Sequence, residues 1–286
     1  AANKCDLLMP ESDNLERLRK HVEAAGCELY EISAGTTQGT KQLMQTVAAN
    51  LGSMATPVGN PQNLFLYSAF NLGVWEFFSV TLPLTALSLL CLSVCTLSIM
   101  PKSLPEQSLV SEKITSGKKM AVYVMLFILC LLTVFRVVPY QVTTAVLIIA
   151  LLIIDRKLFG EIDFMLLLTF VCFFIISENL GRVEVVRDFL QNLLSKSTLL
   201  TSAGASQVIS NVPAAVLLSG FTDNWRELLS GVNIGGLGTP IASLASLITL
   251  KLYMNTKGAK VMKFLGVFTV ANIIGLVILL GFEMLV

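Results

Sequence analysis

Five apolar runs of nearly membrane-spanning length constrain this chain more than any other feature of its sequence. A helix needs about 20 mostly apolar residues to cross a bilayer, and the runs that approach this length are 77–99, 120–138, 140–154, 164–179 and 264–282. Only 14% of the 286 residues are charged, against about 25% in a typical soluble domain. The sequence therefore predicts an all-α polytopic protein of the cell membrane, and we expect a bacterial plasma membrane.

The first 46 residues differ from the rest of the chain. They carry twelve charged residues, seven acidic and five basic. Helical spacing of leucines and one alternating apolar stretch predict a short α/β soluble fragment, too short to hold a core of its own. We therefore divide the chain into a soluble fragment of residues 1–46 and a membrane domain of residues 47–286.

Two segments 183 residues apart interrupt the apolar sequence in the same way. The segments 50–57 and 233–240 both read Asn, an aliphatic residue, Gly and, after three more residues, Thr-Pro. Such a matched pair of Gly/Pro-interrupted segments points to the binding site of a secondary transporter built from repeats. These two segments are the predicted broken helices of two repeats.

The distribution of basic residues predicts how the repeats are oriented. Lysines and arginines concentrate in the polar stretches 101–119, 155–163 and 251–263. Cytoplasmic loops carry an excess of these residues, so all three stretches are expected on the cytoplasmic side. Threading the chain through them makes the two broken segments run in opposite directions, and the repeats are therefore predicted to be inverted.

Residues 198–220 consist of two apolar arms of about ten residues around Ser210-Asn211-Val212-Pro213. Each arm is too short to cross a bilayer, which predicts a re-entrant hairpin with this turn at its tip. Irregular backbone at membrane depth must be buried in protein or line a wet cavity. The hydroxyl, amide and backbone groups of the tip suit a carboxylate or a sodium ion. The alternative is a Pro-kinked helix whose Ser and Asn only satisfy the backbone.

The two breaks offer similar groups. Free carbonyls in a broken helix can ligate Na⁺, and a helix that begins after Thr239-Pro240 would direct its positive end at an anion. Thr56-Pro57 would have that role in the first copy, where the amide-rich run 59–63 follows. The alternative explanation for the glycines is close packing between helices.

The sequence argues against several other functions. The single histidine, His21, has no predicted nucleophile or carboxylate partner, so we expect no enzyme activity. The six cysteines form no CxxC pair, so neither a disulfide framework nor a zinc site is indicated. No basic patch with interleaved aromatic residues points to a nucleic acid. We expect no cofactor besides Na⁺ or H⁺ as a coupling ion.

The motifs 50–63, 210–213 and 233–240 resemble those of the divalent-anion/sodium symporters and citrate-transporter-like permeases. This resemblance covers about 240 residues and implies a secondary active transporter of a small anion, such as a di- or tricarboxylate, that works by alternating access. It implies a first repeat that lacks its hairpin and a complete second repeat. The implied substrate and ion-binding residues are Ser210, Asn211, Pro213, Asn233, Gly235, Thr239, Asn50, Gly52, Thr56, Asn60 and Asn63.

Within that set, Ser210, Asn211 and Asn233 are the implied sodium ligands. The tip departs from the dicarboxylate members, which carry Ser-Asn-Thr, because Val212-Pro213 follows Asn211 here. Arsenite-permease-like and sodium/proton-exchange activities therefore stay open, as does association into a homodimer. An inactive truncated permease is a further alternative.

The N-terminal fragment resembles the end of an Obg-type GTPase domain. Asn3-Lys4-Cys5-Asp6 matches the NKxD motif, and Ile32-Ser33-Ala34 matches the SA loop that follows it. The resemblance implies a guanine-binding remnant formed by Asn3, Lys4, Asp6, Ser33 and Ala34. The phosphate-binding G-x-x-x-x-G-K-[ST] loop is absent from the sequence, so we expect no nucleotide hydrolysis. A GTP-binding fragment tethered to a membrane is the competing functional hypothesis.

Overall fold

The computed structural model describes residues 2–3, 31–32, 48–99, 117–162, 164–254 and 261–285. Two short strands, β1 (Ala2–Asn3) and β2 (Glu31–Ile32), pair in parallel with Ala2 opposite Glu31. The other residues of the predicted α/β fragment lie outside the described ranges. From residue 48 onward, the described chain consists of helices and their connections, as a helical membrane protein requires.

The structure begins its helical part at residues 48–53, which are followed by a break over 54–60. The longer helices are α1 (Pro61–Ala69), α2 (Val74–Ile99), α3 (Gly117–Val134), α4 (Tyr140–Ile154), α5 (Phe164–Gly181), α6 (Glu184–Lys196), α7 (Thr198–Ile209), α8 (Asn211–Leu218), α9 (Trp225–Ile234), α10 (Leu244–Met254) and α11 (Val261–Glu283). A 3₁₀ helix, Arg156–Glu161, follows α4.

The helices coincide with the five predicted apolar runs. By length and composition, three are able to cross a membrane: Val74–Cys95, Gly117–Val134 and Phe264–Glu283. The apolar helices Tyr140–Ile154 and Leu167–Gly181 are shorter; at 1.5 Å per residue, 15 residues reach only about 22 Å. The prediction of a helical membrane protein is therefore confirmed.

The core lies where the α7–α8 hairpin packs against α1 and α9. Its fully buried side chains come mainly from α8 and α9, including Leu218, Leu228 and Val232, and Phe77 of α2 joins them. A second cluster joins Leu51 and Met54 to Ile234, Leu237 and Leu279. Leu199 of the hairpin also belongs to this second cluster, so the hairpin packs against both broken segments.

Helices α3 and α4 lie at the periphery and leave many large apolar side chains exposed, as lipid-facing helices do. Arg136, in the turn between them, connects this pair to the core. It has a left-handed backbone with φ 62°, and its guanidinium donates to the carbonyls of Tyr67 at 2.9 Å and Leu72 at 3.2 Å. The guanidinium carbon also lies 4.9 Å from the centre of the Tyr67 ring. Arg136 therefore binds the carboxyl end of α1 to the α3–α4 turn.

Candidate functional site

The predicted hairpin tip is a single residue between two helices. Helix α7 ends at Ile209 and α8 begins at Asn211, and Ser210 between them has φ 72° and ψ 154°. The two helices pack against each other, so the alternative of one Pro-kinked helix does not hold. Pro213 lies in the first turn of α8, where the missing N–H costs no helical hydrogen bond.

The tip contacts the break of the second repeat directly. The Ser210 hydroxyl and the Asn211 backbone N–H both donate to the carbonyl of Ala242, at 3.3 and 2.9 Å. Ala242 lies in the stretch 235–243 that separates α9 from α10. Two interrupted backbones therefore satisfy part of each other's hydrogen-bonding requirement, as burial in an apolar surrounding demands.

The predicted helix starts after the two Thr-Pro pairs are wrong. Helix α10 begins at Leu244 because Pro240 lies in a turn in which Ala242 N–H donates to the Thr239 carbonyl at 3.1 Å. In the first repeat, Pro57 lies in the turn 54–59, and α1 begins only at Pro61. Extended Asn60 precedes that proline, and proline is well suited to the first helical position.

Gln207 holds the second break against the hairpin, a role that the sequence did not reveal. Its side-chain N–H₂ donates to the carbonyls of Gly235 at 2.7 Å and Leu237 at 2.8 Å. Its side-chain oxygen accepts the Thr239 N–H at 2.9 Å, and its backbone carbonyl accepts the Thr239 hydroxyl at 3.1 Å. Thr239 is therefore engaged with the protein itself. The only sequence signal was an amide in an apolar arm, one turn before the tip.

The second-repeat glycine of the matched motifs is a packing residue. A methyl group at Gly235 would lie 2.8 Å from Ala203 Cα and 2.8 Å from Ser206 Cβ of α7. One turn earlier on α9, a methyl group at Gly231 would collide with Ser202. This is the small-residue helix contact that was the alternative explanation for the glycines. The corresponding Gly52 has no atom near its methyl position.

Three segments meet at Gly236. Asn50 of the first repeat donates from its side chain to the Gly236 carbonyl at 2.9 Å and to the Ser243 hydroxyl at 3.0 Å. A methyl group at Gly236 would lie 2.9 Å from the Asn211 side-chain nitrogen. Asn211 is only 3% exposed, and its side chain makes no hydrogen bond to any described residue. The structure therefore brings a buried carboxamide with unused hydrogen-bonding groups to the meeting point of hairpin and breaks.

Asn63 and Asn233 form a second contact between the repeats. The Asn233 side chain donates to the Asn63 side-chain oxygen at 2.7 Å and to the Leu229 carbonyl at 2.9 Å. The Asn63 side chain donates to the carbonyls of Met54 at 3.1 Å and Thr56 at 3.3 Å in the first break. Both asparagines are buried. The hydrogen bonds of their carboxamides hold the two breaks together.

Asn60 and Thr56 complete the first break. The side-chain oxygen of Asn60 is buried and accepts no hydrogen bond from the described residues. A buried acceptor without a partner is costly, so this oxygen is a good candidate for a ligand contact. The side chain of Thr56 is exposed, and only its carbonyl joins the network.

Comparison with known proteins identifies the family of this chain. The family model described as citrate transporter matches residues 35–223, which is 189 of the 286 residues. The chain belongs to the citrate transporter family. The matched range includes the first break and the hairpin, and it begins twelve residues before the boundary predicted at residue 47.

Two relatives extend the comparison. An uncharacterized transporter from Methanocaldococcus jannaschii is 35% identical over 240 residues, which cover 84% of this chain and 65% of that protein. Inner membrane protein YbiR from Escherichia coli K12 is 30% identical over 213 residues, which cover 73% of this chain and 57% of that protein. The chain thus spans less than two thirds of the length of either relative.

The predicted nucleotide-binding remnant gains no support from these comparisons. Asn3 lies in β1, and its backbone is paired with Ile32 of β2. Lys4, Asp6, Ser33 and Ala34 lie outside the described residues. The GTP-binding hypothesis therefore stays a prediction from the sequence.

The residues that meet at the tip and the breaks are uncharged. Asn50, Asn60, Asn63, Asn211 and Asn233 provide carboxamides, and backbone carbonyls provide further oxygens. Within the described ranges, no group of three or more His, Cys, Asp or Glu could hold a metal ion. A ligand at this site would be bound by neutral donors, by oxygen acceptors and by helix ends.

Proposed function

We propose that this member of the citrate transporter family is a secondary active transporter of a small anion, with a di- or tricarboxylate as the expected substrate. The observation that carries the proposal is the meeting of Asn211, Asn50 and Gly236. These residues come from the hairpin tip, the half-helix before the first break and the second break. A buried polar point where three interrupted backbones converge is typical of a transporter binding site.

The carboxylate contacts would come from neutral groups. Asn211 offers a side-chain N–H₂ with no partner among the described residues, and it stands at the first position of α8. The positive end of a helix stabilises an anion, and Ser210 does not cap α8 with its side chain. A carboxylate at the tip would therefore receive hydrogen bonds from the Asn211 side chain and from the Val212 N–H, because the Asn211 N–H already donates to Ala242 and Pro213 has none.

We propose sodium as the coupling ion because none of these residues has a positively charged side chain. A carboxylate that meets no lysine or arginine gains from a cation bound beside it. The proposed oxygen ligands are Ser210 and the Asn211 side-chain oxygen, and the unpartnered Asn60 oxygen in the first break is a separate candidate ligand. The sodium role that was predicted for Asn233 is weaker, because its carboxamide already contacts Asn63 and Gln62. Proton coupling is the alternative.

The proposed mechanism is alternating access. Both repeats have the order helix, break, helix and long apolar helix, over 48–99 and over 225–283. The positive-inside rule gives the two copies opposite orientations. Because hydrogen bonds connect the tip to the second break and the two repeats to each other, a rigid-body movement of these segments against peripheral helices would carry the site across the membrane as a unit.

Uptake into proteoliposomes tests this proposal. We expect labelled citrate to accumulate with an inward sodium gradient and to fall severalfold or more without it. Asn211→Ala should reduce uptake to the level of empty liposomes, while the exposed Asn192→Ala on α6 serves as a matched control. Sodium-independent uptake that survives Asn211→Ala would remove the tip from the binding site. Uptake that depends on Asn211 and on a pH gradient instead would assign the coupling to protons.

A further inference from the structure

Basic side chains gather at one end of the α3–α4 pair. Lys118 and Lys119 lie in the first turn of α3, and Arg156 and Lys157 directly follow α4. Asp155 shows that the two ends are adjacent. It pairs with the Lys119 ammonium at 3.5 Å and accepts from the Tyr123 hydroxyl at 3.4 Å. Four positive charges therefore share one small surface.

The acidic groups at this end do not balance the basic ones. Asp155 and Glu161 are the acidic residues of 117–162, and the Asp155 carboxylate is already held by Lys119 and Tyr123. Arg156 donates to the Leu152 carbonyl at 2.8 Å, which places its positive charge at the carboxyl end of α4. Lys118 and Lys157 are exposed, so the surface presents a net positive charge.

Exposed apolar side chains on α3 and α4 continue this basic surface along the two helices. Met120 and Val124 on α3 and Ile149 and Ile153 on α4 are exposed large apolar residues. A partner that fits both parts has an anionic head and apolar chains. Such basic clusters beside membrane helices attract acidic lipid headgroups, whereas a soluble anion would use only the basic part.

We infer that this end of the α3–α4 pair binds an anionic phospholipid. Its phosphate lies among Lys118, Arg156 and Lys157, and its acyl chains lie along the exposed faces of the two helices. The inference depends on the surface of α3 and α4 alone, and it holds whatever substrate the tip and the breaks bind.

Native mass spectrometry of the purified full chain measures this binding. We expect phosphatidylglycerol to be retained and phosphatidylcholine to be lost at the same activation energy. Lys118→Gln with Lys157→Gln should lower phosphatidylglycerol affinity by about tenfold or more. Lys196→Gln with Arg226→Gln removes two exposed charges elsewhere and should leave the affinity within about twofold. Glycerol 3-phosphate, which has the phosphate but no acyl chains, should not displace the lipid.

Three results would overturn the inference. They are equal retention of phosphatidylcholine, an equal loss of affinity in both double variants, and displacement of the lipid by glycerol 3-phosphate. The thermal unfolding temperature of each variant, measured in phosphatidylcholine, checks folding separately. A surface Lys→Gln change should shift it little, and a large shift for the Lys118/Lys157 variant alone would assign these lysines to folding instead.

Discussion

Asn233 donates a side-chain hydrogen bond of 2.7 Å to Asn63, which lies 170 residues earlier in the chain. Both side chains are buried, and each belongs to a half-helix beside a break. Asn63 also binds the carbonyls of Met54 and Thr56. The pair therefore couples the first break to the second.

Removing one member of this pair should destabilise the protein. Asn233→Ala leaves the buried Asn63 side-chain oxygen without its donor, at a cost of about 1–3 kcal/mol. Thermal unfolding in detergent measures the loss, and Asn192→Ala on the surface of α6 is the control. In a double-mutant cycle with Asn63→Ala, the two losses should not add, because both remove the same contact. Additive losses would show that the two side chains act independently.

Gln207 should be required for the structure of the second break. Gln207→Leu has a similar size but leaves the Gly235 and Leu237 carbonyls and the Thr239 N–H without their partner. We expect a loss of about 2–4 kcal/mol, from two or more buried polar groups at about 1–3 kcal/mol each. The exposed Gln141→Leu on α4 is the matched control. Equal unfolding temperatures for both variants would contradict the proposed role.

The glycines of the matched motifs should differ in their tolerance of a methyl group. Gly235→Ala would place Cβ 2.8 Å from Ala203 Cα, and backbone at that distance must shift, so we expect a loss of about 1–3 kcal/mol. Gly52→Ala meets nothing within 4 Å and lies in a helical stretch, so it should be neutral or stabilise by up to about 1 kcal/mol. Unfolding temperatures of the two variants that shift equally would refute this difference.

Arg136 should stabilise the contact between the α3–α4 turn and α1. Arg136→Gln removes two charge-assisted hydrogen bonds to the carbonyls of Tyr67 and Leu72, and we expect a loss of about 1–2 kcal/mol at this exposed position. Arg226 also lies over an aromatic ring, 4.7 Å from the centre of Trp225, but among the described residues its side chain donates only to the Ser79 hydroxyl at 3.5 Å and to no backbone carbonyl. Arg226→Gln should therefore cost less than about 0.5 kcal/mol. Chemical denaturation in mixed micelles compares the two variants.

Sequence periodicity and composition predicted the helices and the hairpin because lipid permits few backbone solutions. Runs such as 140–154 became helices with the predicted bounds, and the tip fell at Ser210. The helix starts after the Thr-Pro pairs were wrong, because turn geometry depends on tertiary hydrogen bonds such as those from Gln207 to the break.

The sequence only partly distinguished residues that are free to bind a ligand from residues that hold the structure together. The asparagines look alike in the sequence, but the structure gives Asn233 and Asn63 protein partners, whereas the Asn211 side chain has none among the described residues. The motif could not distinguish Gly235 from Gly52. Among the described residues, a hairpin helix packs against Gly235, whereas no hairpin helix packs against Gly52. Contacts between residues 28 or more positions apart, such as Gln207 with Gly235, produce no local sequence pattern from which they could be predicted.

Ligand protection of the hairpin tip tests whether the tip binds the substrate. In a cysteine-free background, Ser210→Cys should be shielded from a small thiol reagent by citrate in the presence of sodium. Val208→Cys, exposed two residues away on α7, should react at the same rate with and without citrate. We predict at least about a fivefold slower reaction at position 210 only when citrate and the coupling ion are both present. Equal rates at position 210 under all conditions, in a protein that accumulates citrate in proteoliposomes, would contradict it.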